Sequence, residues 1–222
     1  MPIKALICDL DGTFIDSEPL RYKAAQLFLA KWNKSLPQQI YEDVAGLPGR
    51  EKISWLLGHY GIKFQSYELD EYVGDLERFY HHVGERDLKA FDGASELLES
   101  VKPTLQVALA TAASKTNTDW ALRITGGKNL FNPILCAAHV EKKKPDPQIY
   151  LKAASIMGVD PREAAGVEDS TFGIWAIKRA GMYCIGVQTT IPNPEYYGAD
   201  LVVPTMGHLT LEMILKLGEK NG

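Results

Sequence analysis

The apolar run Ile3 to Cys8 stops on Asp9-Leu10-Asp11-Gly12, and this junction limits what the chain can fold into more than any other segment. A short strand of this character is buried on both faces, as strands inside a parallel sheet are. Side chains alternate along a strand, so Asp9 and Asp11 are expected to converge near its carboxyl end. In open α/β sheets, ligands bind outside that edge. Gly12 permits the sharp turn that must follow. Two carboxylates so placed suit a nucleophile and a proton-transfer group working beside a metal ion.

From Pro103 onward, apolar strands alternate with helical stretches. The expected strands are Leu105 to Ala110, Ile134 to Ala137, Ala165 to Val167, Tyr183 to Val187 and Leu201 to Val203. The expected helices between and after them are Ser114 to Ile124, Pro147 to Met157, Phe172 to Ala180 and Leu209 to Leu217. Repeated strand–helix–strand order predicts an α/β fold, a Rossmann-like doubly wound parallel sheet. Residues 17–89 break the pattern with three apolar stripes at helical spacing. These are Leu20/Ala24/Leu27/Phe28, Ile53/Leu56/Leu57/Tyr60, and a stretch from about Tyr67 to His82. Ser17 is the expected N-cap of the first helix, with Pro19 in its first turn. The expected organisation is a discontinuous core, 1–16 with 90–222, interrupted by an all-helical cap domain at 17–89. Thr125-Gly126-Gly127 and Asn193-Pro194 mark loops.

A net charge of −4 over 222 residues argues against non-specific nucleic-acid binding. No apolar run approaches the roughly 20 residues of a membrane helix. The N-terminus lacks the features of a signal peptide. Cys8, Cys136 and Cys184 show neither metal-like nor disulfide-like spacing and are expected to be buried thiols of a reducing cytoplasm. The expectation is a soluble cytoplasmic protein, and nothing in the sequence demands more than a monomer.

Chemistry-bearing residues recur at the ends of four predicted core strands: Asp9/Asp11, then Thr111, then Lys144, then Glu168-Asp169. Each has an ordinary alternative. Asp-x-Asp-Gly is often an Asx turn, and Thr111 a strand-end hydroxyl. Lys144 belongs to the charge run Lys142-Lys143-Lys144, and Glu168-Asp169 suits a helix N-terminus. Their joint occurrence supplies what phosphoryl transfer needs: a nucleophile, a hydroxyl and a cation for phosphate oxygens, and carboxylates for Mg²⁺.

The strings DLDGTFIDSE, ALATAAS, KKKPDPQIYLKAA and GVEDSTFGIWAIKRAGM span residues 8 to about 182. On them the chain resembles the haloacid dehalogenase-like hydrolase superfamily, in its helical-cap branch, and is especially similar to the β-phosphoglucomutase-like group of phosphatases and mutases. The resemblance implies that Asp9 attacks phosphorus and forms an aspartyl-phosphate. Asp11 protonates the leaving oxygen and then activates water. Thr111, with backbone N–H groups around Ala112, holds phosphoryl oxygens, and Lys144 neutralises charge. Mg²⁺ is bound by Asp9, the carbonyl of Asp11 and Asp169, with Glu168 as a direct or water-mediated ligand. Asp11 favours phosphate esters over halides, because an alkoxide leaving group benefits from a proton donor.

The segment Ala45-Gly46-Leu47-Pro48-Gly49-Arg50 resembles the substrate-selecting cap loop of this family. Arg50 then either contacts a distal phosphate or sugar hydroxyls of the small phosphate-ester substrate, or merely begins an exposed helix. Trp32 and Trp55 are expected in the cap core, and His81, His82 and His208 as surface or structural residues. Mutases of the group carry a His in the first cap helix where this chain has Arg21, which favours water as phosphoryl acceptor. A phospho-aspartate receiver is the reading from another class. The inserted cap and the late Glu168-Asp169 pair disfavour it.

Overall fold

A computed structural model describes residues 1–45, 47, 49–190 and 197–219. The chain folds into two compact units, Met1–Asp16 with Lys89–Gly222, and Ser17–Leu88. In the first unit, six parallel strands form one sheet in the order β3-β2-β1-β4-β5-β6. They are β1 Ala5–Cys8, β2 Gln106–Ala110, β3 Ile134–Leu135, β4 Ala164–Glu168, β5 Tyr183–Val187 and β6 Leu201–Val203. The order runs outward in both directions from β1, the doubly wound arrangement in which ligands sit at the switch point. Strands β1 and β4 are buried along their whole length, which is why the sequence shows runs there and no alternation.

Helix α7 (Gln148–Met157) and helix α8 (Thr171–Arg179) pack on one face of this sheet. Ala5 and Ile7 of β1 meet that layer with Ala108 and Ala110 of β2, as alternation requires. Ile149, Tyr150, Ala153 and Ala154 form the inward stripe of α7. Helix α5 (Ala94–Val101) packs beside helix α9 (Leu211–Leu217), and α6 (Lys115–Ile124) follows β2. Sequence periodicity does not mark α5. It is short, and it begins at Gly93, whose φ of 79° lies in the left-handed region that favours glycine.

The expected strand Ile134 to Ala137 is cut to Ile134–Leu135. The Cys136 N–H bonds His139 Nδ1 at 3.0 Å, which turns the chain into a 3-10 turn over Ala137–His139. All three cysteines are free and buried. The Asn193-Pro194 loop lies outside the described residues. No helix among the described residues is long and apolar enough to cross a membrane.

The elements described in the second unit are helical: α1 Glu18–Ala30, α2 Gln38–Glu42, α3 Gly49–His59, a 3-10 turn Ser66–Glu68 and α4 Leu69–Asp87. The third helix begins later and ends later than periodicity implies, because Val83 and Gly84 continue the buried stripe. Ser17 precedes α1 but does not cap it with its hydroxyl. Its backbone is αR (φ −94°, ψ −23°) instead of the extended form a capping side chain needs. Phe28 is fully buried, with Trp32 and Tyr72 edge-on to it at centroid distances of 5.3 and 5.9 Å. The Lys31 ammonium lies 5.6, 5.2 and 5.3 Å from the Phe28, Trp32 and Tyr72 rings and is paired with Asp75. Trp32 therefore packs, partly buried, against the core of the helical unit, as expected. Trp55 does not: it is exposed and stacks on His59 one turn later, since the apolar stripe of α3 is Ile53, Leu56 and Leu57. His208 bonds Thr205 near the surface.

Phe28→Ala is expected to destabilise the helical unit by ~3–5 kcal/mol, the usual result of emptying a buried aromatic site. Urea unfolding followed by circular dichroism checks this, and a shift below about 1 kcal/mol would show that the unit is not organised around Phe28.

Candidate active site

The site grows out of strand register. Ala5, Leu6, Ile7 and Cys8 pair in parallel with Ala164, Ala165, Gly166 and Val167. One step on, Asp9 and Glu168 stand side by side on adjoining strands. The Asp9 N–H bonds the Val167 carbonyl at 3.0 Å, so the ladder continues to that point. Ala5, Ile7 and Asp9 share a face, as do Ala164, Gly166 and Glu168. That is the face covered by α7 and α8, and both carboxylates are accordingly buried. Asp169, the next residue, brings a third: oxygens of Asp9, Glu168 and Asp169 lie within 4.8 Å of one another.

Lys144 answers this charge. Its Nζ is 2.6 Å from Asp9 Oδ1, 2.6 Å from Glu168 Oε1 and 3.0 Å from the Ala110 carbonyl, with only 7% of the side chain exposed. The loop carrying it is pinned by Gln148, whose Oε1 accepts the Glu141 and Lys142 N–H groups at 2.9 and 2.8 Å. Of the three consecutive lysines, Lys142 and Lys143 are exposed and only Lys144 turns inward.

Glu168 is saturated. Its Oε1 takes Lys144 and the Tyr150 hydroxyl at 3.1 Å, while its Oε2 takes the Asp169 and Ser170 N–H groups and the Ser170 hydroxyl at 3.0, 3.0 and 2.9 Å. Ser170 also caps α8 by accepting from the Gly173 N–H at 3.1 Å. A Cβ on Gly173 would fall 1.8 Å from Glu168 Oε1, so the bare backbone there makes room for the carboxylate. Asp169 accepts from the Thr13 hydroxyl at 2.9 Å and is hydrogen-bonded by Thr190. Gly12, at φ 76°, turns the chain under Asp169, where an added Cβ would lie 2.3 Å from Asp169 Oδ2.

Asp11 sits on this turn, partly exposed, and its carboxylate is outside the converging trio. The Gly12 N–H returns to the Ile15 carbonyl at 2.9 Å, closing the loop that carries it. Thr111 is buried at the end of β2, and its Oγ1 accepts from the Ala113 N–H at 3.0 Å. Thr111, exposed Ala112 and Ala113 lead into α6, which Ser114 caps through Asn117 N–H. Amides at such a helix start are a ready place for an anion. Arg50 opens α3, where its guanidinium bonds the Asp70 carboxylate and, at 2.9 Å, the Ser66 carbonyl. Gly46 lies outside the described residues.

Electrostatically the trio is short of positive charge. Burial, together with Glu168 and Asp169, raises the Asp9 carboxyl well above its ordinary range against the pull of Lys144. Burial and the neighbouring Glu168 push Asp169 up to about 7. Burial disfavours the Lys144 ammonium, but Asp9 and Glu168 outweigh it and raise its affinity for a proton. An all-oxygen set with excess negative charge fits a hard divalent cation. Glu168 has its acceptor capacity filled by the chain, so Asp9 and Asp169 are the carboxylates better suited to face the ion. Sequence reasoning names the acids and the lysine but misses Tyr150 and Thr13, and gives Ser170 no task. Six residues after Lys144, Tyr150 reads as one more member of an apolar stripe.

The model of the haloacid dehalogenase-like hydrolase family matches residues 6–187. The β-phosphoglucomutase of Bacillus subtilis is 31% identical over 218 residues, which cover 96% of this chain and 94% of that one. The phosphorylated carbohydrates phosphatase of Thermotoga maritima is 29% identical over 188 residues, covering 81% and 82%. The crystal structure of CbbY from Rhodobacter sphaeroides in complex with phosphate superposes with a TM-score of 0.83 at 25% identity, covering 96% of this chain and 99% of that one. With the parallel sheet and the strand-end acids, these matches make the chain a member of the haloacid dehalogenase-like hydrolase family, in its β-phosphoglucomutase-like group.

Proposed function

We propose that the chain is a Mg²⁺-dependent phosphatase that hydrolyses a small sugar or polyol phosphate through an aspartyl-phosphate on Asp9. The observation that carries this is a buried carboxylate held 2.6 Å from a buried lysine at the switch point of a parallel sheet. An Asp9 oxygen attacks phosphorus as the ester P–O bond breaks, and Asp11, on its more exposed turn, gives a proton to the departing oxygen. Asp11 then takes a proton from water. The water oxygen bonds to phosphorus, the bond to Asp9 breaks, and inorganic phosphate leaves. Lys144 offsets charge on Asp9 and on the transferring group. The Thr111 hydroxyl and the backbone N–H groups around Ala112 hold phosphoryl oxygens. Mg²⁺, held by Asp9, Asp169 and the Asp11 carbonyl, would supply further neutralisation of phosphate charge. Carbohydrate phosphates are favoured because one relative is named a phosphorylated carbohydrates phosphatase and another a β-phosphoglucomutase.

Water is the acceptor we favour over a second sugar. Arg21 occupies the turn of α1 where a mutase histidine is expected, with its guanidinium over the Tyr80 ring at 4.5 Å. A guanidinium donates hydrogen bonds and accepts none. Arg50 is the cap cation we assign to the remote part of the substrate. Its bonds to Asp70 and Ser66 orient it and use two of its five N–H donors.

Wild type is expected to release phosphate from p-nitrophenyl phosphate and from a sugar-phosphate panel. Asp9→Asn is expected to abolish turnover, and Asp11→Asn to lower kcat by about 10²–10⁴-fold. Isomerised sugar phosphate in place of free phosphate would make the chain a mutase, and an inactive wild type would remove the enzyme reading. Arg50→Ala is expected to raise KM severalfold with kcat little changed, and an unchanged KM would restrict Arg50 to fastening α3.

An acid whose folded pKa is raised contributes stability below its unfolded value near pH 4, and that contribution disappears as pH rises through the folded value. For Asp169 this window runs up to about 7. Without Mg²⁺, the Tm of wild type relative to Asp169→Asn is expected to fall between pH 4 and 8. Adding Mg²⁺ should reverse the fall in wild type only, since the ion pairs with the ionised carboxylate. Scanning calorimetry at matched ionic strength checks this: a pH-independent difference would show that the folded Asp169 carboxyl is not raised, and a wild-type Tm unmoved by Mg²⁺ would remove Asp169 from the ion's ligands.

A further inference from the structure

Tyr150 is fully buried, touches two groups of the site and has no task in the chemistry above. It projects from α7 toward the sheet, and its hydroxyl donates to Glu168 Oε1 at 3.1 Å. The same oxygen receives the Lys144 ammonium at 2.6 Å, and that ammonium lies 4.9 Å from the centroid of the Tyr150 ring. Lys144 is thus shared between two carboxylates at equal distance, Asp9 on one side and Glu168 on the other, both at 2.6 Å. Only its bond to Asp9 serves a nucleophile.

Two buried carboxylates compete for one cation, and in a low-dielectric interior a single added hydrogen bond shifts that competition. A phenol donating to Oε1 draws negative charge out of Glu168 and weakens its hold on Lys144. The ring face beneath the ammonium stabilises the cation without favouring either acid. Oε2 is already satisfied by two backbone amides and the Ser170 hydroxyl, so Glu168 cannot swing away to change the balance. We infer that Tyr150 is a positioning residue, whose hydroxyl acts through Glu168 to set how much of the Lys144 charge is directed at Asp9. This rests on the phosphatase reading for its effect on turnover, but the contact itself does not.

Tyr150→Phe keeps the ring and its packing and removes only the hydroxyl. It is expected to lower kcat about tenfold while KM stays within about twofold, the pattern of an interaction felt mainly in the transition state. In a Glu168→Gln background the same change should cost less than about twofold, because a residue acting through Glu168 has nothing left to act on. A purely packing role would give losses that multiply. Multiplying losses, or a Tyr150→Phe enzyme with kcat within twofold of wild type, overturns the inference. Urea midpoints of the same four proteins report the contact without turnover. If wild type hydrolyses no phosphate ester, the phosphatase reading falls. Non-additive midpoints then uphold the Tyr150–Glu168 coupling, and additive ones overturn it.

Discussion

Three carboxylates brought within 4.8 Å of one another, away from water, are the constraint to which the rest of the catalytic unit answers. Left alone, such a trio would repel itself and shed its charge by protonation. The chain holds it with a lysine, two backbone amides and the hydroxyls of Thr13, Ser170 and Tyr150. These are the partners that make burial of charge tolerable, but they do not neutralise it. One ammonium faces three acids, and that deficit of positive charge is what suits the site to a divalent cation. A trio neutralised within the chain would offer a cation far less.

That deficit can exist only because the sheet around it is rigid. Asp9 and Glu168 are neighbours in register, fixed by the ladder between β1 and β4, and neither can move without breaking it. The glycines at 12 and 173 belong to the same logic. Each lets backbone approach a carboxylate at a distance where a Cβ would collide with it. The apolar layer of α7 and α8 supplies the burial that makes every one of these hydrogen bonds count.

The fold is largely legible because a parallel sheet writes itself as apolar runs, and β1, β4 and β5 are buried almost throughout. Edges and short elements are less legible. β3 gives way to a turn held by His139, and α5 is two turns long behind a left-handed glycine. Asp9 and Thr111 can be named because each directly follows a strand, and Glu168-Asp169 because the pair closes one. Lys144 lies beyond β3 and the turn Ala137–His139 and is named only in their company. Their partners cannot be named. Register is a tertiary fact, so nothing in the sequence says that Asp9 lies beside Glu168 and leaves the Asp11 carboxylate apart. Tyr150 is hidden for another reason: its ring obeys the core pattern of α7, and only the direction of its hydroxyl distinguishes it from a phenylalanine.

In the proposed phosphatase, reaction and selectivity are written in different parts of the chain. The residues assigned to bond making and breaking all belong to the unit formed by Met1–Asp16 and Lys89–Gly222. Nothing about them distinguishes water from a sugar hydroxyl as acceptor, since Asp11 can take a proton from either. In the proposed phosphatase that choice is assigned to Arg21 of the helical unit, whose guanidinium donates hydrogen bonds and accepts none. A mutase must orient a second hydroxyl for attack, whereas a phosphatase needs only to leave water in place. On the proposed reading, an arginine where a mutase needs an acceptor turns the shared chemistry toward hydrolysis, with the acids and the lysine that carry it out unchanged.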